Sequence, residues 1–159
     1  MKMDAKMTRQ YLDDYVVGQV FNSGRLRVER KAIVAFAKEF DPQPYHLDEE
    51  AARNSVFGGL VASGWHTAAL TMRLLVESEF RPAGGILGVG LDELSWPRPV
   101  RPGDELHVTT EVLDVQPSKS RSDRGMIRVR NTTFNHNDEA VQIFIPKIIV
   151  PRRPAGRSM

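Results

Sequence analysis

Asp41 and His46 stand five positions apart in the run Asp41-Pro42-Gln43-Pro44-Tyr45-His46-Leu47-Asp48. Fully extended, five residues span about 17 Å, too far for the two side chains to share a target. Pro42 and Pro44 fix φ and remove two backbone donors, which favours a stiff, kinked path. A kink can bring a carboxylate and an imidazole to one point. Together they can hold a water and move its protons near neutral pH, because imidazole titrates at about 6.5. Stiffness suits that task, since the groups need no ordering at each turnover. The same residue types also make an ordinary loop, with a turn-forming Asp and a surface His.

The second segment that can carry chemistry is Gly58-Gly59-Leu60-Val61-Ala62-Ser63-Gly64-Trp65-His66. Glycines that enter a buried helix free backbone N–H groups to face a ligand, and a helix start is electropositive. Such donors can hold a carbonyl oxygen as it becomes an enolate. Equally, the glycines can serve close packing alone. Ser63 with His66, or with His46 and Asp41, has the composition of a hydrolase triad, but position 61 is Val, so Gly-x-Ser-x-Gly is missing. Asp41, His46 and Asp48 have ligand chemistry but no His-x-x-x-His beside them, so no metal is expected. Trp65, Trp96 and Met72 read as core. Lys119, Arg121 and Arg124 form a basic cluster that is either a solvated loop or a seat for phosphates.

These groups need elements to position them. Arg30 to Phe40 reads as a helix, with Ile33, Phe36, Ala37 and Phe40 on one stripe. It must stop near Asp41, because Pro42 disfavours the helical region for the residue before it. Asp48 is placed to cap a short helix over Glu49 to Arg53. Leu60 to Glu79 is the longest helical candidate, with Trp65, Ala68, Ala69, Met72, Leu75 and Val76 as its stripe and Leu70 and Leu74 beyond it. Apolar over so much of its surface, it should be mostly buried. Gly18 to Glu29 reads as a hairpin turning at Asn22-Ser23-Gly24. Strand patterns follow over Gly85 to Ser95, Asp104 to Gln116, Gly125 to Asn135, with a slip near Asn131, and Glu139 to Val150. A buried helix with antiparallel strands is an α+β two-layer arrangement.

At 159 residues the chain has the length of one domain. We assign residues 1–150 to a single domain and read 151–159 as a short, basic, disordered tail. Hydrophobic residues make up 41% and charged residues 26%, which excludes a fibrous or disordered chain. There is no cysteine, so disulfides, thiolate metal sites and thiol catalysis are excluded. A net charge of +2 is too weak a field to indicate nucleic-acid binding. Met1 to Val17 lacks the apolar core of a signal peptide and no stretch is long enough to span a membrane, so a cytoplasmic protein without a membrane partner is expected.

The run Phe40-Asp41-Pro42-Gln43-Pro44-Tyr45-His46-Leu47-Asp48, then Gly59-Leu60-Val61-Ala62-Ser63-Gly64, then Trp96-Pro97-Arg98-Pro99-Val100-Arg101-Pro102-Gly103-Asp104, resembles the MaoC-like (R)-specific enoyl-CoA hydratases and 3-hydroxyacyl-thioester dehydratases. The resemblance extends from about Val17 to Val150, in order. It implies a hot-dog fold, an antiparallel sheet wrapped round one long helix, and pairing into a homodimer or higher oligomer. The implied substrate is an acyl-CoA or acyl-carrier thioester, with no cofactor beyond coenzyme A as part of that substrate. Carried over, Asp41 and His46 would activate the water that adds to a trans-2-enoyl thioester, and Gly64 would polarise its carbonyl through the backbone N–H. Ser63, Trp65 and Arg121 would contact substrate. Two positions depart from the family pattern: Gln43 stands where Asn is frequent, and Ser63 where His often precedes the glycine. Two other readings stay open, a hot-dog thioesterase and a non-catalytic thioester-binding subunit.

Overall fold

Alternation of side chains builds the sheet. In β3 (Glu105–Pro117) Leu106, Val108, Thr110 and Val112 face inward, and in β4 (Arg124–Phe134) Ile127, Val129, Asn131 and Thr133 do so, as a period of two requires. With β1 (Val20–Arg27), β2 (Leu87–Ser95) and β5 (Ala140–Pro151) they form one antiparallel sheet in the order β1-β3-β4-β5-β2. This computed structural model describes residues 8–155. Residues 1–7, part of the segment expected not to be a signal peptide, and residues 156–159, the end of the expected tail, lie outside the described residues.

Among the described residues four α-helices precede β2: α1 (Arg30–Phe40), α2 (Pro44–Leu47), α3 (Glu49–Arg53) and α4 (Gly64–Val76). Leu74 and Leu75 of α4 pack with Val28, Ile33, Val100, Leu106, Val108 and Val141. A second apolar group joins Leu12, Tyr15 and Phe80 to Val112, Ile127, Val129, Ile148 and Val150. Among the described residues no helix is long and apolar enough to cross a membrane.

Three local expectations are corrected. The Asn22-Ser23-Gly24 run does not turn the chain. It makes an irregularity inside a continuous β1, between Asn22 and Arg25, where the Ser23 hydroxyl accepts the Val108 N–H at 2.7 Å. There is no slip at Asn131, which stays in the inward series; the β4–β5 register shifts only between Thr133 and Phe134. The helix expected over Leu60 to Glu79 spans Gly64–Val76, and only part of its expected stripe is buried. Leu75 is, with Leu74, His66, Thr67 and Thr71, but Trp65, Ala69, Met72 and Val76 face outward, Trp65 being 60% exposed. The opposing surface carries a buried polar band of Thr110, Asn131, Thr133 and Gln142: Thr71 of the helix bonds with Thr133 and Gln142, and Thr110 bonds with Asn131.

The chain past Val150 is not loose at its start. Pro151 ends β5. The Arg152 guanidinium donates to Asp13 at 3.1 Å, and that of Arg153 to both oxygens of Asp14 at 2.8 and 2.9 Å. Arg153 also lies over the Tyr11 ring, 5.2 Å from its centroid.

At Gly125 the outer end of β4 meets the 3-10 turn Leu12–Asp14. A methyl group there would stand 2.5 Å from Leu12 Cδ2 and 2.6 Å from the Gln116 carbonyl oxygen. Gly125→Ala should therefore destabilise the fold by about 1–3 kcal/mol, the usual cost of overpacking. A thermal melt checks it, and an unchanged midpoint would show that the 3-10 turn yields freely.

Candidate active site

The site is assembled at the point where helix formation is interrupted. α1 ends at Phe40, and the Asp41 N–H bonds back to the Ala37 carbonyl at 2.9 Å. Pro42 forbids another turn. Pro44, at the first position of α2, suits a helix start because its missing N–H has no intrahelical partner there. The kink expected between the prolines is thus one helical turn. It swings His46 back toward Asp41, with His46 Nε2 3.4 Å from Asp41 Oδ2. Asp48 does cap α3, accepting the Ala51 N–H at 3.0 Å, and so turns away from the other two.

Each group of the pair is held by a separate partner. His46 is 5% exposed, and its Nδ1 is 2.7 Å from the Val61 carbonyl oxygen. A carbonyl only accepts, so Nδ1 carries a proton there, and Nε2 is the ring nitrogen turned toward Asp41. Asp41 Oδ2 accepts from the Ser63 hydroxyl at 2.7 Å, and Oδ1 from the Gln43 side-chain amide at 2.6 Å. The Ser63 bond holds the Asp41 carboxyl below its ordinary value of 3.8. Partial burial opposes this, and the Gln43 amide and the His46 ring add to it. The carboxylate is therefore ionised at neutral pH, with His46 Nε2 beside it.

Ser63 is also the N-cap of α4, its hydroxyl oxygen accepting the Trp65 N–H at 3.2 Å. Gly64 is the first residue of that helix, and its N–H is among the donors an α-helix leaves without an intrahelical partner. Asp41, His46 and Gly64 line one cleft of about 340 Å³, with Val61, Ala62, Thr67 and Val100 on its apolar side and Trp65, Trp96 and Arg98 at its mouth.

Of the site residues named from the sequence, the structure brings Asp41, His46, Gly64 and Trp65 to this cleft, with Ser63 bonded to Asp41. Arg121 is not brought there. It is exposed on the loop after β3, and the 13 residues of β3, roughly 40 Å of strand, separate that loop from the segment carrying Val100. Its neighbours Lys119 and Arg124 edge a different hollow, of about 590 Å³, over the outer face of the sheet. There Asp92 is engaged by Arg128 and Lys147 at 3.3 and 3.4 Å. His66 is buried, and its Nδ1 has no hydrogen-bond partner. It stacks on Phe36 with centroids 4.8 Å apart, and burial pushes its pKa down. Sequence reasoning missed Thr67, although it sits three residues after Gly64 on the same helical face, and Arg98, which pairs with Glu139 at 3.4 Å. The Val61 carbonyl left no signal in residue type.

A model of the MaoC-like domain matches residues 14–134. The chain belongs to this family. It is 61% identical to the MaoC-like dehydratase of Rhodospirillum rubrum, whose crystal structure superposes with a TM-score of 0.89 over 91% of this chain and 99% of that one. The Bacillus subtilis protein YdeM is 39% identical over 130 residues, 82% of this chain and 91% of that protein. The 3-hydroxybutyryl-CoA dehydratase of Methylorubrum extorquens is 30% identical over 113 residues, 70% of this chain and 69% of that protein. The five-stranded antiparallel sheet with its long helix is accordingly the hot-dog fold.

Ser63→Ala removes the hydrogen bond that does most to lower the Asp41 pKa. The Asp41 titration, followed by carboxyl-carbon NMR, should move to higher pH. A depressed carboxyl stabilises the fold above its unfolded value and loses that contribution as pH falls through the folded one. The variant should therefore be less stable than wild type near neutrality, with the gap closing in acid. An unmoved titration would remove Ser63 from the charge balance of the site.

Proposed function

We propose that this chain hydrates trans-2-enoyl thioesters, or dehydrates (R)-3-hydroxyacyl thioesters, with coenzyme A entering only as part of the substrate. The observation that carries the reading is the convergence of two acceptors. Asp41 Oδ2 and His46 Nε2, 3.4 Å apart, can each accept one hydrogen from a single water. The water is then fixed by both protons, with an oxygen lone pair free for the β-carbon. As the carbon–oxygen bond forms, the alkene electrons move to the α-carbon and the thioester carbonyl. The resulting enolate oxygen lies at the Gly64 N–H, the positive end of α4. The proton taken from the water by the His46–Asp41 pair returns to the α-carbon, so the net change is addition of water, and the reverse path eliminates it. Trp65 at the mouth contacts the substrate. The family membership and the Methylorubrum extorquens relative support this chemistry.

We also assign the exposed apolar surface to a second copy of the chain. Trp65, Ala69, Met72 and Val76 run along the outer face of α4, and the edge strand β2 exposes Leu87, Val89 and Leu91 to half or more of their surface. A free edge with an apolar stripe invites strand pairing and helix packing with a twin.

Asp41→Asn and His46→Ala should each lower kcat by about 10²-fold or more in chains that still melt cooperatively, the usual scale of acid–base catalysis. Loss of the enoyl absorbance of crotonyl-CoA without thiol release is the expected wild-type signal. Thiol release would make the protein a thioesterase, and binding without either change would make it a non-catalytic subunit. Separately, Met72→Glu with Val76→Glu should halve the mass measured by sedimentation; a wild type that sediments as a monomer would refute the pairing.

A further inference from the structure

Gly64 is not required by its backbone, since it is not among the described glycines with positive φ. It is required by a neighbour. A methyl group on Gly64 would stand 2.7 Å from Cε2 and 2.8 Å from Cζ2 of Trp96, inside van der Waals contact. The indole occupies the space where a side chain would be, against the first residue of α4, and both residues line the Asp41–His46 cleft.

The indole is itself anchored. Its N–H donates to Gln142 Oε1 at 2.8 Å, the Gln142 amide donates to Thr71 Oγ1 at 3.0 Å, and Thr71 and Thr133 share a hydrogen bond at 2.7 Å. Gln142, Thr71 and Thr133 are at most 1% exposed, and they come from β5, α4 and β4. Buried amides and hydroxyls are costly unless paired, and here their pairing ends on the one indole proton that sets the angle of the ring. Thr71 stands two turns along the helix that Gly64 begins, so the relay braces the helix start against the sheet through the ring.

We propose that Trp96, anchored by Gln142, is the positioning residue for the Gly64 N–H. Helix ends fray, whereas a donor that polarises a carbonyl must be held in distance and direction. The ring packed on Gly64 supplies that restraint. The proposal rests on the hydratase reading for its catalytic meaning, but it is testable apart from it.

The test uses butyryl-CoA, a saturated thioester that cannot be hydrated, and crotonyl-CoA for turnover. Wild type, Trp96→Phe and Gln142→Met are compared by difference infrared spectroscopy of the bound carbonyl and by steady-state kinetics. Binding to wild type should lower the carbonyl stretch, and in both variants it should return toward the free value. The variants should lose about tenfold in kcat with KM changed less than about twofold, the pattern of an interaction made in the transition state. An unchanged stretch on binding to wild type overturns the proposal. So does a stretch in the variants equal to that of wild type, whatever happens to kcat. If Trp96→Phe does not fold, Gln142→Met, which keeps the ring, decides alone. A wild type that hydrates nothing sinks the hydratase reading, while the carbonyl frequencies still decide the role of Trp96.

Discussion

The hydroxyl of Ser63 makes two hydrogen bonds in opposite senses, and the site depends on both. It donates to Asp41 Oδ2 and accepts from the Trp65 N–H. One oxygen therefore ties the charged member of the Asp–His pair to the first turn of α4. Hydrogen bonds to a charged group contribute about 1.5–3 kcal/mol, enough to hold the half-buried Asp41 carboxylate in one rotamer. This link joins the kinked Asp41–Asp48 segment to the Gly64 helix start, as the Val61 N–H does by donating to the Tyr45 carbonyl. The His46 ring depends on a similar cross-connection, through its Nδ1 proton to the Val61 carbonyl, in the strand-like lead-in to the same helix.

Much of this was legible before any coordinates. Two prolines between an acid and an imidazole announce a bend, and the Asp48 cap and the stop at Phe40 follow from local rules that need no tertiary context. The strands of the C-terminal half were readable because alternation survives burial of one face. Less legible was anything decided by a partner distant in sequence. The Val61 carbonyl is invisible in residue type, since every residue has one. Arg121 looked like a phosphate contact because charge is readable and location is not; the length of β3 carries it to the other end of the sheet.

The orientation of α4 shows a failure of a different kind. Apolar periodicity locates a stripe, and burial of that stripe is then assumed to be within the chain. Here the apolar stripe of Trp65, Ala69, Met72 and Val76 faces out, while the face with Thr67 and Thr71 faces the sheet. The assumption fails because the inner surface of the sheet is itself polar at Thr110, Asn131, Thr133 and Gln142. A hydrogen-bonded layer also behaves differently from an oily one. Its contacts are directional, so sliding or rotating α4 on the sheet would strain both bonds of Thr71, to Thr133 and to Gln142.

The two arginines after Pro151 bring the ends of the described chain together. Tyr11, Asp13 and Asp14 are gripped by Arg152 and Arg153 at one end of the sheet, away from Asp41. A short linker between residues 8 and 155 would close the polypeptide into a ring there. The exposed loop of residues 118–123 then offers a place to cut new termini, since circular permutation succeeds at such loop tips. Two domains could likewise be joined in tandem through the same corner without a connecting segment crossing the Asp41–His46 cleft.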